Sequence, residues 1–164
     1  MRVPIRKPGK YTHLKPDPHL TEEKYNELKS KLVRMLKSRP PLIEEVKFHA
    51  LNGDFSENAA YQIAKGRLRG LNQRIIELED HLKQAIIISP RNNFRIEAGH
   101  KVTVLVRGKE KIYKILGSSE TDPDKGIISR NSPIGSALLG RKAGDRVKVR
   151  LAEKEVIYEI LKIE

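Results

Sequence analysis

Two carboxylates three residues apart, Asp54 and Glu57, stand in the stretch Gly53 to Tyr61, GDFSENAAY, the part of the chain best equipped for chemistry. Read locally, Asp-x-x-Glu is a capping box, in which the aspartate accepts the first amides of a helix and the glutamate reaches back. Ser56 and Asn58 stand beside the pair, and no Lys or Arg occurs between Ala50 and Ala64. Oxygen donors without nearby cations suit a hard ion such as Mg²⁺, yet two carboxylates are too few to hold it tightly. Such a pair would complete a metal site that belongs mainly to a partner. On these residues alone both readings stand, and the flanking elements must decide what the pair can reach.

Those elements are helical. Thr21 followed by Glu22 and Glu23 gives an N-cap and an acidic first turn, so a long helix is expected to start there. Tyr25, Leu28, Leu32, Met35, Leu42 and Val46 follow a/d spacing if Arg39 takes one seam position, and Tyr61, Ala64, Leu68, Leu71, Ile75, Leu78 and Leu82 follow it without a break. Pairing Tyr25 with Leu82, Leu32 with Ile75 and Val46 with Tyr61 brings the stripes face to face as an antiparallel hairpin. The axis then falls at Gly53 and Asp54, with Asn52 and Gly53 suited to ending the first helix. At ~1.5 Å per residue each arm is roughly 45 Å long, so the hairpin projects and carries the acidic pair at its tip. Pro40 and Pro41 are expected to interrupt the first arm with a kink.

Residues 1–20 combine Pro4, Pro8, Pro16, Pro18 and Gly9 with Arg2, Arg6, Lys7, Lys10 and Lys15, which reads as a basic arm without regular structure. Residues 21–86 form the hairpin. From residue 90 to residue 164 the pattern changes to short strands: Lys101 to Val106, Lys111 to Leu116, Gly126 to Ser129, Arg146 to Leu151 and Val156 to Ile163. A short helix is expected within Ser132 to Gly140, with Ser132 as cap, Pro133 at its first position and Gly140 as its stop. The class is α+β, a helical hairpin followed by a mainly antiparallel β domain with one helix.

The 164 residues carry 33 Lys and Arg against 21 Asp and Glu, a net charge of +12 that favours polyanionic surroundings. Absence of cysteine excludes disulfides and thiolate metal sites and fits a reducing compartment. His13, His19, His49, His81 and His100 have no metal-ligand spacing. The longest apolar run, Ala85 to Ile88, crosses no membrane and no signal peptide is evident, so a cytoplasmic monomer is expected. Behind the tip, Lys65, Arg67, Arg69 and Arg74 are either the solvated face of a coiled coil or a set of phosphate contacts, with Lys47 nearby on the first arm.

The run RPPLIEEVKFHALNGDFSENAAYQIAKGRLRGLNQRIIELEDHL resembles the coiled-coil hairpin of the bacterial Gre-type (GreA and GreB) transcript-cleavage factors. GIISRNSPIGSALLGRKAGDRVKV with YEILKIE is similar to their FKBP-like C-terminal domain, and the likeness covers about residues 20 to 164. The resemblance implies a protein that docks on bacterial RNA polymerase and sends its hairpin into the secondary channel. It implies that Asp54 and Glu57 help hold the second Mg²⁺ of the polymerase active centre and orient the water that cleaves backtracked RNA. It further assigns Lys65, Arg67, Arg69 and Arg74 to the extruded RNA 3′ segment, and the loop containing Asn131, Ser132, Pro133 and Ile134 to polymerase docking. The protein would then be no enzyme itself but a stimulator of the polymerase's own nuclease.

The chain differs from the family pattern in its longer basic arm, in Asn131 where GreB-type sequences carry Asp, and in LAEKEV, which lacks a turn glycine. Three rival readings follow. A non-catalytic channel regulator is opposed by the intact acid pair, and a prolyl isomerase would have only Phe94, Tyr113 and Tyr158 to line its pocket. A coiled-coil binder of free nucleic acid would need no polymerase and would show steep salt dependence.

Overall fold

The computed structural model describes residues 16–51, 58–90, 94–151 and 154–164. Two helices, α1 (Glu22–Ala50) and α2 (Ala59–Lys83), run antiparallel against each other. Strand β1 (His19–Leu20) precedes α1 and pairs in parallel with β2 (Ile86–Ile87), which follows α2, so one end of the hairpin is closed by backbone hydrogen bonds. The remaining strands are β3 (Lys101–Val106), β4 (Lys109–Leu116), β5 (Ile127–Ser129), β6 (Arg146–Leu151) and β7 (Lys154–Ile163), with α3 (Pro133–Leu138) between β5 and β6. They form one sheet in the order β5-β4-β3-β7-β6, antiparallel except for the parallel β4–β5 pair.

The a/d reading of the hairpin holds position by position. Tyr25, Leu28, Leu32, Met35, Leu42 and Val46 of α1 are half-buried, as are Tyr61, Leu68, Leu71, Leu78 and Leu82 of α2, while Ala64 and Ile75 are buried. No residue of α1 is fully buried, because a pair of helices covers its seam from one side only. Arg39 occupies its seam position exposed.

The expected interruption at Pro40 and Pro41 does not occur, and α1 passes through both. Each proline removes an amide donor, leaving the carbonyls of Leu36 and Lys37 without their helical partners. Residues 36–41 are all exposed, so water can serve those carbonyls at little cost. The arm expected to lack structure up to Leu20 also needs revision at its end. Leu20 is 0% exposed and packs into the base of the hairpin.

In the sheet domain, Arg107 and Gly108 both have positive φ, which suits the tight β3–β4 turn. Alternation sends Val102, Val104 and Val106 inward beside Ile115, Val147, Val149, Tyr158 and Ile160, and Leu138 of α3 closes this core at 0% exposure. Full burial of one such side chain contributes about 1.5–3 kcal/mol.

A glycine sets how closely the hairpin approaches the sheet domain. A Cβ on Gly117 would lie 1.9 Å from the carbonyl oxygen of His19 in β1, although the glycine's own φ is unstrained at −68°. Gly66, in α2, has nothing within 4 Å of such a Cβ. Gly117→Ala should therefore lower stability by about 1–3 kcal/mol through overpacking. Gly66→Ala should raise it by roughly 0.5–1 kcal/mol through helix propensity. Denaturant midpoints of the two variants measure both, and equal effects would refute the close-approach account.

Candidate functional site

The site is assembled at two ends of the molecule. At the tip, Asp54 and Glu57 lie outside the described residues, but the helix ends flanking them do not. The first residue of α2 is Ala59, and its N-cap is Asn58. The Asn58 side-chain oxygen accepts from Tyr61 N at 2.9 Å, and its amide nitrogen donates to the His49 carbonyl of α1 at 2.8 Å. One asparagine thus starts α2 and ties it to the other arm. The capping-box reading of Asp54 and Glu57 likewise falls outside the described residues; the N-cap of α2 itself is Asn58.

Behind the tip, the four candidate cations separate into two rows. Lys65 and Arg69 are one helical turn apart on the same side of α2 and exposed. The Lys65 ammonium lies 5.5 Å from the centroid of the Tyr61 ring, a contact worth about 0.5–1 kcal/mol at an exposed site. Arg67 and Arg74 lie two turns apart on the opposite side. Arg67 reaches across the seam to Glu45 at 3.2 Å, so part of its charge is already balanced within the hairpin. Lys47, on α1, is paired with Glu44 at 2.8 Å. Among the described residues no group of three or more His, Asp or Glu side chains is placed to hold a metal ion.

At the other end, the loop from Arg130 to Ile134 is shaped by hydrogen bonds. Ser132 caps α3, accepting from Gly135 N at 3.0 Å and donating to the Ser129 carbonyl at 2.7 Å. Gly135 is required there, since a Cβ would fall 2.1 Å from Ser129 O. Asn131 and Pro133 are exposed, whereas Ile134 is half-buried against the sheet core. Of the four expected contact residues, Asn131 and Pro133 are therefore the exposed ones.

Sequence reasoning missed Asp17. Its side chain is 5% exposed and gathers segments far apart in the chain. One oxygen accepts from His19 N at 3.1 Å and contacts the His19 ring at 3.0 Å. The other accepts from Ser118 N, Ser118 Oγ and the Asn131 side-chain amide at 3.0–3.2 Å. Asp after Pro in PDPH is a turn signal, but nothing in the sequence points to partners a hundred residues away.

Burial on its own pushes the Asp17 carboxyl up, but the donors from Ser118 and His19 together outweigh it and hold the group below its ordinary 3.8. A depressed folded value means the carboxylate stabilises the fold above the unfolded pKa, and the contribution is lost as pH falls through the lower folded value. The stability difference between the wild type and Asp17→Asn should therefore be full near neutral pH and shrink below about pH 4. Urea unfolding across that range measures it, and a difference independent of pH would show that the Asp17 charge is not what matters.

Of the aromatic set that an isomerase would need, Tyr113 and Tyr158 meet in the sheet core. Phe94 is 81% exposed and Tyr158 is 4% exposed within the core, while Tyr113 packs half-buried against the same core. Among the described residues no helix is long and apolar enough to cross a membrane.

The described residues thus form an antiparallel two-helix hairpin joined at its base to a five-stranded sheet domain. Residues 19–87 match the family described as transcription elongation factor, N-terminal, and residues 91–164 match transcription elongation factor, GreA/GreB, C-term. Transcription elongation factor GreA of Nautilia profundicola is 38% identical over 151 residues, covering 88% of this chain and 92% of its own. The GreA of Chlorobium phaeobacteroides is 37% identical over 153 residues, covering 88% and 95%. Among solved structures, GreA factor homolog 1 of Thermus thermophilus aligns with 90% of this chain and 99% of its own at 23% identity and a TM-score of 0.41. The chain belongs to the GreA/GreB family of transcription elongation factors.

Proposed function

We propose that this elongation factor docks on bacterial RNA polymerase through its sheet domain, inserts the hairpin into the secondary channel and stimulates cleavage of backtracked RNA by the polymerase. The observation that carries the reading is the Asn58 cap. It fills the N-cap position of α2 directly after the stretch that carries Asp54 and Glu57, which supports reading the two carboxylates as ligands offered to a partner's chemistry.

The donor set fits Mg²⁺, since both groups are hard oxygen ligands, and their small number fits an ion shared with the polymerase. When bound, a second ion of this kind stabilises the attacking and leaving oxygens of a phosphodiester. The chain's own residues do the rest. The seam stiffens the arms, Asn58 fixes the start of α2 relative to α1, and Asp54 and Glu57 belong to the stretch of sequence between the two helices. Lys65 and Arg69 form the row free to meet RNA phosphates, while Arg67 is engaged with Glu45. Such contacts hold a strand without reading its sequence.

The deciding experiment is a stalled, backtracked elongation complex incubated with the factor and Mg²⁺, where short 3′ RNA fragments are the expected product. Asp54→Ala and Glu57→Ala should each abolish stimulated cleavage with polymerase affinity and melting temperature nearly unchanged. Asn58→Ala should instead cost about 1 kcal/mol of stability through loss of the cap. Cleavage at the wild-type rate by either carboxylate variant would remove the metal assignment.

Joint replacement of Lys65 and Arg69 by Ala should slow cleavage of complexes with long extruded RNA more than of complexes backtracked by a nucleotide or two. The defect should narrow as salt screens the wild-type contacts. Rates across both substrates and a salt series check this. Equal loss everywhere would mean a damaged hairpin, and no loss would return these cations to an ordinary solvated surface.

A further inference from the structure

We propose that Asp17 is the positioning residue of the docking loop, so that the segment before the hairpin sets the shape of the surface offered to polymerase. The inference rests on the docking reading given above. Asp17 is the one acceptor-only group in a network of donors, and this fixes the direction of every bond around it. Ser118 gives its backbone and hydroxyl protons to Asp17, at 3.0 and 3.2 Å. The hydroxyl of Ser129, 2.8 Å from that of Ser118, must then donate to it. Ser129 Oγ is left to accept from Asn131 N at 3.0 Å. The Asn131 side-chain amide is shared between Asp17 at 3.2 Å and Ser118 Oγ at 3.3 Å. Both the backbone and the side chain of Asn131 thus take their orientation from a carboxylate elsewhere in the sequence.

The same geometry explains why residue 131 is an amide in this chain. A carboxylate there would face that of Asp17 across the distance the hydrogen bond now occupies, and like charges so close repel. Asp17 is also held from behind, because the His81 ring of α2 hydrogen-bonds its backbone carbonyl at 3.0 Å. The loop is therefore coupled to the last turns of the hairpin as well as to the segment before it.

Four variants test this in full-length protein: Asp17→Asn, Asn131→Asp, the double variant, and Pro133→Glu as a control for the exposed loop. For each, the factor concentration giving half-maximal RNA cleavage is compared with the cleavage rate at saturation. Asp17→Asn should raise the half-maximal concentration about tenfold, the size expected for losing a charge-assisted hydrogen bond, and leave the saturated rate unchanged. Asn131→Asp should be at least as damaging, and the double variant should recover part of the loss because a carboxylate–amide pair is restored in reverse order. Pro133→Glu should weaken binding in parallel.

An unchanged half-maximal concentration in Asp17→Asn, with Pro133→Glu impaired, overturns the inference and leaves the docking reading standing. No effect of Pro133→Glu shows that the loop is not the interface, and both fall. A reduced saturated rate in Asp17→Asn, or a double variant no better than Asn131→Asp, assigns Asp17 to general stability and likewise overturns its positioning role.

Discussion

The carboxylate of Glu120 closes on Thr21 twice, accepting from the backbone amide at 2.9 Å and from the side-chain hydroxyl. That hydroxyl simultaneously accepts from Lys24 N at 3.2 Å as the N-cap of α1. Helix start and domain joint are thus one group of atoms. A hairpin of two helices has little to hold it in place except its base, and any freedom there is multiplied along arms of about 40 Å. Charge-assisted hydrogen bonds are short and directional, which is what a lever needs at its pivot. Backbone bonds from Ile86 N to Pro18 O and from Ile88 N to Leu20 O, with Gly117 permitting contact, complete the joint.

The seam explains why the arms can be long without being wide. Its residues are mostly half-buried, so each contributes less than a core side chain, and stability accumulates by repetition of the a/d step. Exposed ion pairs such as Glu45–Arg67 add at most about 1 kcal/mol apiece. Their greater effect is on which cations remain available. An arginine committed across the seam is a poor phosphate ligand, whereas Lys65, resting on Tyr61, and Arg69 keep their charge turned outward.

The hairpin was legible in the sequence because a two-helix structure has only one seam, and one seam leaves one periodic stripe per helix. Strand β3 and the cap of α3 were legible for similar reasons, since alternation and Ser-Pro at a helix start are local signals. The prolines misled because their cost depends on whether the freed carbonyls meet water, which the sequence does not state. Asp54 and Glu57 complete a capping box by spacing, which is a local signal, whereas Asn58, the N-cap of α2, has no acid three residues on to mark it. The β1–β2 pairing and the Asp17 network were invisible, as they join residues whose separation leaves no period to detect.

These errors share a direction that bears on function. Polar residues near the base, Asp17 and Glu120 among them, are satisfied by partners within the chain, and their charge is spent on rigidity. At the tip the internal need is met by a neutral residue, Asn58, which uses both its oxygen and its nitrogen to bind the arms together. An aspartate as cap could start α2, but it has no donor for the His49 carbonyl, and its charge would be partly neutralised by the helix terminus. Placing an amide at that position lets one neutral side chain both start α2 and tie it to α1. A two-helix lever needs both constraints, a charged joint at its base and a tie between the helix ends at its far end.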